Sequence, residues 1–297
     1  METTVSRIAG KMSKNIGVKM SETKADQYQV HSNLDRPISD LSFLRRGLLF
    51  AELSTIAYMD PPEIQKVVER IGFDKFEFFE RDGSQAYWFS NENDSVISCR
   101  GTEPNEWNDI KADAYAVTAL AETVGRVHRG FKQEVDDLWP RIENAIVDNQ
   151  KTQWFTGHSL GGAMATICAG RCKLSHIQSL PEETHTFGSP RVGNKRYINY
   201  TTLKLYRWVN NNDIVTRVPP PWFGYRHTGK ELYFDRNGDL RDITGWRRTS
   251  DRLRGFLRGL GRLQIDQFSD HLMPNYISYM LKAIEKEEAT QDTQESP

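Results

Sequence analysis

Cysteine is scarce in this chain of 297 residues, and neither sign of charge is in excess. The three cysteines form no disulfide framework, which suits a reducing compartment or a core large enough to need no cross-links. Cys168 and Cys172 lie on one predicted helix without further His or Cys ligands, so we interpret them as small buried residues rather than a metal pair. Lys and Arg number 39 against 40 Asp and Glu, and this balance predicts no general affinity for nucleic acid.

Long apolar runs are also missing from the sequence. No stretch approaches the roughly 20 apolar residues that a membrane-spanning helix needs. Residues 1–20 contain scattered Lys and Arg but no apolar run, unlike a secretory signal. We therefore expect a cytoplasmic protein, with peripheral attachment to a membrane or leaderless secretion as the alternatives.

Polar ends flank a single patterned domain. Residues 1–36 are predicted to be a loose N-terminal leader, residues 37–284 one domain, and residues 285–297 an acidic C-terminal tail. Within the domain, β-rich runs alternate with helical runs, which predicts an α/β fold with a mainly parallel central sheet and helices on both faces. The predicted strands are 76–79, 86–89, 96–99, 154–156, 184–187 and 204–209, and the predicted helices are 41–58, 61–71, 131–146, 160–173 and 269–283.

Gly157-His158-Ser159-Leu160-Gly161-Gly162 follows a predicted strand and leads directly into a predicted helix. A nucleophilic serine needs this setting, because a tight turn must lift its hydroxyl above the edge of the sheet. The glycines leave room for the neighbouring backbone, and the following helix directs its N-terminus at developing negative charge. The motif therefore indicates Ser159 as a nucleophile; the alternative is a glycine-rich turn without chemistry.

Six blocks in order, including this turn, resemble the class 3 lipases, the fungal-type lipase family of the α/β-hydrolase superfamily. The resemblance extends from about Leu41 to Leu281 and implies an α/β-hydrolase fold and hydrolysis of carboxylic esters. The other blocks are Val96–Thr102, Val127–Phe131, Thr186–Asn194, Val209–Val215 with Pro219-Pro220, and Asp270-His271 with Tyr276.

The resemblance implies a catalytic triad in which Ser159 is the nucleophile, Asp213 the acid and His271 the base. It also implies that Thr102 and Leu160 supply the oxyanion donors. The order Ser, Asp, His is that of the α/β-hydrolases. Only His227 and His271 follow Asp213 in the sequence, and we favour His271 because it begins a helix, with His227 as the alternative. The other interpretation of Asp213 is a residue that caps a turn, as its neighbouring asparagines also do.

The resemblance further implies that the segment after Thr102 forms a lid over the acyl groove. This segment is Glu103–Ala116, and its lid candidates are Trp107, Asp109 and Ile110. Mixed apolar and charged residues suit a short amphipathic cover. The alternatives are an ordinary surface helix packed by Trp107, and an Asp109 that orients Thr102.

The segment Arg247–Arg262 contains six arginines and a single acidic residue, and its apolar residues recur at helical spacing. This basic amphipathic pattern predicts contact with an anionic membrane. The alternative is a solvated helix face, and three glycines weaken an isolated helix there.

The leading functional hypothesis is a triacylglycerol lipase or carboxylesterase that acts on a lipid or ester substrate. A phospholipase A1 acting at anionic membranes is the alternative, and a non-catalytic lipid-binding module on the same fold is the second. Ser-His-Asp chemistry requires no metal and no organic cofactor.

Overall fold

The computed structural model describes residues 28–101, 118–122, 124–175, 177, 180–241 and 270–295. The lid candidates Trp107, Asp109 and Ile110, the oxyanion candidate Thr102 and the basic segment Arg247–Arg262 lie outside the described residues.

An eight-stranded sheet forms the centre of the molecule, in the order β1-β2-β3-β6-β7-β9-β11-β12. Its five inner strands β3, β6, β7, β9 and β11 run parallel, whereas the outer pairs are antiparallel. The strands are β1 Lys75–Arg81, β2 Ser84–Ser90, β3 Asp94–Cys99, β6 Thr152–His158, β7 Pro181–Phe187, β9 Leu205–Asn210, β11 Lys230–Phe234 and β12 Leu240–Arg241. Parallel inner strands place their carboxyl ends at one edge, where α/β folds bind ligands.

Helices cover both faces of this sheet and bury one apolar cluster on each. The first cluster joins α1, α2 and α6 to sheet residues such as Trp154 and Trp208, and the second joins α3, α4 and α5 to residues such as Phe155. The helices are α1 Phe43–Ile56, α2 Pro61–Ile71, α3 Arg129–Ile146, α4 Leu160–Leu174, α5 Lys195–Thr201 and α6 Met273–Glu295. The predicted α/β class with a mainly parallel sheet is confirmed.

Local signals in the sequence set several of these boundaries. The Ser42 hydroxyl accepts a hydrogen bond from the Arg45 N–H and so caps α1. Pro61 and Pro62 occupy the first turn of α2, where a missing N–H costs nothing. The buried cysteines Cys168 and Cys172 face the second apolar cluster from α4, as the sequence predicts.

A small antiparallel sheet lies beside the main one, in the order β10-β8-β5-β4. Each of its parts belongs to a chain connection that follows the carboxyl end of β3, β7 or β9. The sheet therefore ties together three connections around the edge where the candidate site lies. Its strands are β4 Thr118–Leu120, β5 Arg126–His128, β8 Gly193–Asn194 and β10 Tyr225–Arg226.

The two predicted polar ends differ from expectation where the structure describes them. Residues 28–36 belong to the predicted leader, yet Leu34 packs against the core and the N–H groups of His31 and Ser32 donate hydrogen bonds to buried Glu52. At the other end, α6 continues to Glu295 through the predicted tail. The N-terminal difference arises because the carboxylate of buried Glu52 accepts hydrogen bonds from two backbone N–H groups of the leader. The C-terminal difference arises because Glu and Lys are good helix formers.

Within the part of the chain that the structure describes, no helix is both long and apolar enough to span a membrane.

Candidate active site

The turn between β6 and α4 holds Ser159 in a strained conformation. Its backbone has φ 60° and ψ −130°, a region that residues with a side chain seldom adopt. Its N–H donates a hydrogen bond to the Phe187 carbonyl at the end of β7, over 2.8 Å. A Cβ on Gly157 would collide with the backbone of Gly161, so glycine is needed for the chain to reverse here. The sequence thus folds into the sharp strand-to-helix turn that presents a nucleophile.

The Ser159 side chain lies at the N-terminal end of α4, whose first residue is Leu160. The first N–H groups of a helix have no carbonyl partner within the helix and favour negative charge. Ser159 is fully buried, and its Oγ forms no hydrogen bond with any residue that the structure describes. A serine nucleophile beside an oxyanion donor has this arrangement.

Asp213 and His271 form a buried pair although they are far apart in the sequence. His271 Nδ1 lies 2.8 Å from Asp213 Oδ2. The carboxylate also accepts hydrogen bonds from the Val215 N–H and the Tyr276 hydroxyl, each over 2.9 Å. In the tautomer whose Nδ1 donates to the carboxylate, Nε2 carries the lone pair that a general base needs.

Tyr276 connects this carboxylate to strand β9. Burial, and next the negative charge of Asp213, raise the pKa of the Tyr276 hydroxyl well above its usual value. The hydroxyl therefore stays protonated and donates a hydrogen bond to the carboxylate. The same oxygen accepts a hydrogen bond from the Asn210 N–H over 3.1 Å. Tyr276 therefore holds the last helix, the strand and the acid in one arrangement.

Gly188 makes room for the acid–base pair at the end of β7. Its φ is +59°, and a Cβ built on it would lie 2.7 Å from Asp213 Oδ2 and 2.7 Å from His271 Nδ1. A side chain at this position therefore has no space, and the backbone conformation itself favours glycine.

The start of α6 is tied to the turn after β9 by Asp270. Its carboxylate accepts hydrogen bonds from the Asn211 side chain over 3.0 Å and from the Asn212 N–H over 3.2 Å. Its carbonyl accepts a third from the Asn210 amide over 2.8 Å. These hydrogen bonds position the neighbouring residue, His271, beside Asp213.

The alternative base, His227, contacts a different part of the chain. Its Nε2 is 2.8 Å from the Thr216 carbonyl, on the connection that leads to the small sheet. The geometry therefore brings Asp213 together with His271 and leaves His227 on the loop.

The oxyanion candidates are described in part. Leu160 is the first residue of α4, and Gly101, which precedes Thr102, lies against Ser159: a Cβ on Gly101 would be 3.2 Å from Ser159 Cβ. Among the described residues, no group of three or more His, Cys, Asp or Glu side chains is arranged to hold a metal ion.

Residues 96–223 match the family described as lipase (class 3), and this segment contains the serine turn, Gly188 and Asp213. Over this segment, which is less than half of its length, the chain is similar to the class 3 lipases. It is 39% identical over 127 residues to a secreted mono- and diacylglycerol lipase of Fusarium solani, a match that covers 40% of this chain and 37% of the relative. It is 34% identical over 122 residues to a lipase of Rhizomucor miehei, covering 38% of this chain and 34% of the relative.

The fold of the chain is similar to that of a known lipase structure. The Rhizomucor miehei triacylglyceride lipase superposes with a TM-score of 0.57 at 23% identity, over 65% of this chain and 81% of that one. The chain thus has the α/β-hydrolase fold. Its sequence matches span about a third of the length of the two relatives, at 37% and 34%. The Fusarium relative is named as secreted, which gives no support to the expected cytoplasmic location.

Several residues around the triad candidates escaped the sequence analysis. Gly188 stands within a block that resembles the family, but its role depends on side chains from two distant segments. Asp270 also stands within such a block, but only the structure shows that its carboxylate holds the turn after β9. The run of three asparagines before Asp213 was the available signal, because amide side chains at a strand end commonly anchor another segment.

Proposed function

We propose that this chain is a serine hydrolase of carboxylic esters that acts on acylglycerols. The observation that carries the proposal is the buried hydrogen bond between His271 and Asp213, on the same sheet edge as a serine held in a strained turn. The Fusarium relative, named for mono- and diacylglycerols, suggests the substrate class.

In the first step, His271 Nε2 takes the proton of Ser159 as its Oγ attacks the ester carbonyl. A bond forms between Oγ and the carbonyl carbon, and the carbonyl oxygen gains the negative charge. Asp213 keeps the imidazole in the required tautomer and stabilises its cation. The Leu160 N–H at the head of α4, together with Thr102, binds the oxyanion.

The tetrahedral intermediate then collapses, and the alcohol leaves with the proton held by His271. Water enters next, gives a proton to His271 and attacks the acyl carbon. The carboxylic acid leaves and Ser159 recovers its proton, so the cycle needs no external reductant, oxidant or cofactor.

The test is hydrolysis of tributyrin and of phosphatidylglycerol by the purified chain and its Ser159→Ala variant. We expect turnover of tributyrin that falls by about a thousandfold or more in the variant. Faster hydrolysis of phosphatidylglycerol than of tributyrin would favour a phospholipase A1. If wild type hydrolyses neither substrate faster than the variant does, the chain is a non-catalytic lipid-binding module.

The predicted lid remains a proposal, with Trp107, Asp109 and Ile110 as its candidates. It is supported by the full burial of Ser159, because an ester reaches this hydroxyl only after covering atoms move. We expect the rate on tributyrin to rise sharply where the substrate exceeds its solubility. A rate that follows one smooth saturation curve through that concentration would contradict the lid.

Contact of Arg247–Arg262 with an anionic membrane is likewise proposed, on the charge of the segment alone. In liposome flotation, we expect the chain to float with phosphatidylglycerol vesicles and to stay below with phosphatidylcholine vesicles. Equal, negligible flotation with both lipids would remove this contact.

A further inference from the structure

The histidine that precedes the nucleophile is fully engaged, yet the mechanism above does not use it. His158 is buried at the end of β6, between Tyr58 and the triad candidate His271. Its Nε2 lies 2.8 Å from the backbone carbonyl of His271, and its Nδ1 lies 2.9 Å from the Tyr58 hydroxyl.

These two contacts determine which ring nitrogen of His158 carries the proton. A carbonyl oxygen only accepts, so Nε2 must donate to it. The ring is neutral, because burial, and next the charge that His271 acquires, lower the pKa of His158 well below its usual value. Nδ1 therefore accepts, and Tyr58 donates. The hydroxyl of Tyr58 thus stabilises the tautomer in which His158 donates to the carbonyl.

The two histidine rings also pack against each other. Their centroids are 4.4 Å apart, and their planes are inclined by 34°. His158 therefore covers one face of the His271 imidazole and limits the rotation of its side chain.

His271 has particular need of such contacts because it lies just before α6, in neither a helix nor a strand. The carbonyl of Asp270 is fixed by the Asn210 amide, and the carbonyl of His271 by His158. A fixed carbonyl sets the orientation of its planar peptide group. Two consecutive fixed peptides flank the Cα of His271 and thereby fix the direction in which its side chain leaves the chain.

We propose that His158 is a positioning residue for His271, and that Tyr58 supports it by a hydrogen bond that stabilises the required tautomer of His158. This inference rests on the proposed function, because it gives His271 the part of the base. It separates two roles in the serine turn: Ser159 provides the reacting oxygen, whereas its neighbour aligns the base.

The test compares His158→Leu with His158→Gln, since glutamine keeps an N–H at about the position of Nε2. We expect His158→Leu to lower kcat on tributyrin about tenfold with little change in KM, the loss that corresponds to one hydrogen bond. His158→Gln should recover most of that loss. Tyr58→Phe should lie between wild type and His158→Leu, because the ring stays but its tautomer is no longer stabilised.

Proton NMR of the same proteins supplies a readout that does not need turnover. The low-field Nδ1 proton of His271, hydrogen-bonded to Asp213, should exchange faster with water in His158→Leu and Tyr58→Phe than in wild type. If wild type hydrolyses no ester, the proposed function fails, and the NMR signal still decides whether His158 aligns His271.

A matched control is His185, which is also fully buried but contacts Trp208 and Glu183 instead of the triad candidates. His185→Gln should lower stability while leaving kcat per folded molecule and the His271 proton signal unchanged. The proposal is overturned if His158→Leu keeps both at wild-type values, or if His185→Gln changes them equally. Should His158→Leu not fold, the comparison of Tyr58→Phe and His158→Gln with wild type decides the question.

Discussion

Gly188 shows how a single residue without a side chain limits the space around the proposed acid Asp213 and the proposed base His271. The Asp213 carboxylate and the His271 ring occupy the space into which a Cβ at this position would project. A larger residue must therefore displace one of the two, and the atoms involved are those that make the hydrogen bond. Close packing of interiors leaves no other direction for the pair to move without cost.

Gly188→Ala should accordingly lower kcat/KM on tributyrin by about a hundredfold, the cost of a misplacement of about 1 Å in a catalytic group. Gly83→Ala is the matched control, because Gly83 also has a positive φ, of +88°, but nothing lies within 4 Å of its Cβ position. Both variants place alanine at a positive φ, but only Gly188→Ala also places a Cβ against Asp213 and His271. Equal activity in the two variants would show that the Asp213–His271 distance is not set by Gly188.

At the scale of elements, the site depends on how the start of α6 is joined to the end of β9. Asp270, just before α6, receives hydrogen bonds from the turn that carries Asp213, and Tyr276, in the first turn of α6, receives one from β9. The start of the helix is thereby fixed at two points. His271 lies just before this helix, so its position follows that of the helix.

Asp270→Ala should loosen this junction. We expect kcat to fall about threefold to tenfold, in line with the loss of one or two hydrogen bonds, and amide hydrogens of the first turn of α6 to exchange faster. Glu285→Ala, an exposed position on the same helix, should change neither quantity. Unchanged amide exchange in Asp270→Ala would contradict the account of this junction.

The elements themselves were largely predictable because their signals are local. Short β-rich runs indicate β1, β2 and β3, and the serine motif locates the end of β6 and the start of α4. Strands of the small sheet were not predicted, since two or three residues carry no periodicity. The contacts of His158 could not be predicted from the sequence for another reason. Tyr58 and His271 lie 100 and 113 residues away from it in the sequence, and only the folded sheet brings the three residues together.

At the scale of the whole molecule, two buried histidines make stability depend on pH. Burial, the largest cause in each case, lowers the pKa of both His158 and His185. Below their usual pKa of about 6.5, these residues bind protons in the unfolded chain while the folded protein keeps them neutral. The unfolded state therefore gains more protons as the pH falls, and the free energy of unfolding decreases.

We expect each histidine to contribute a fall in the free energy of unfolding between about pH 6.5 and pH 5, of up to about 1.4 kcal/mol per pH unit. Glu52, Asp94 and Glu134 contribute in the opposite direction, because burial raises the pKa of their carboxyl groups. Denaturant unfolding at several pH values measures this slope. Glu183 does not contribute in that interval, because its hydrogen bonds and ion pairs outweigh burial and lower its pKa to about 2. His185→Gln should flatten the slope; a variant with the wild-type slope would show that His185 binds its proton equally in both states.

The central claim is that Ser159 is activated by His271 and Asp213, and reaction of the folded chain with a fluorophosphonate tests it most directly. Mass spectrometry identifies the labelled residue, and the rate of labelling reports activation of its hydroxyl. The account predicts that Ser159 is labelled in wild type and in His227→Ala, but at a rate reduced by orders of magnitude in His271→Ala and Asp213→Ala. Absence of label on Ser159, or a rate that depends on His227 rather than His271, would contradict it.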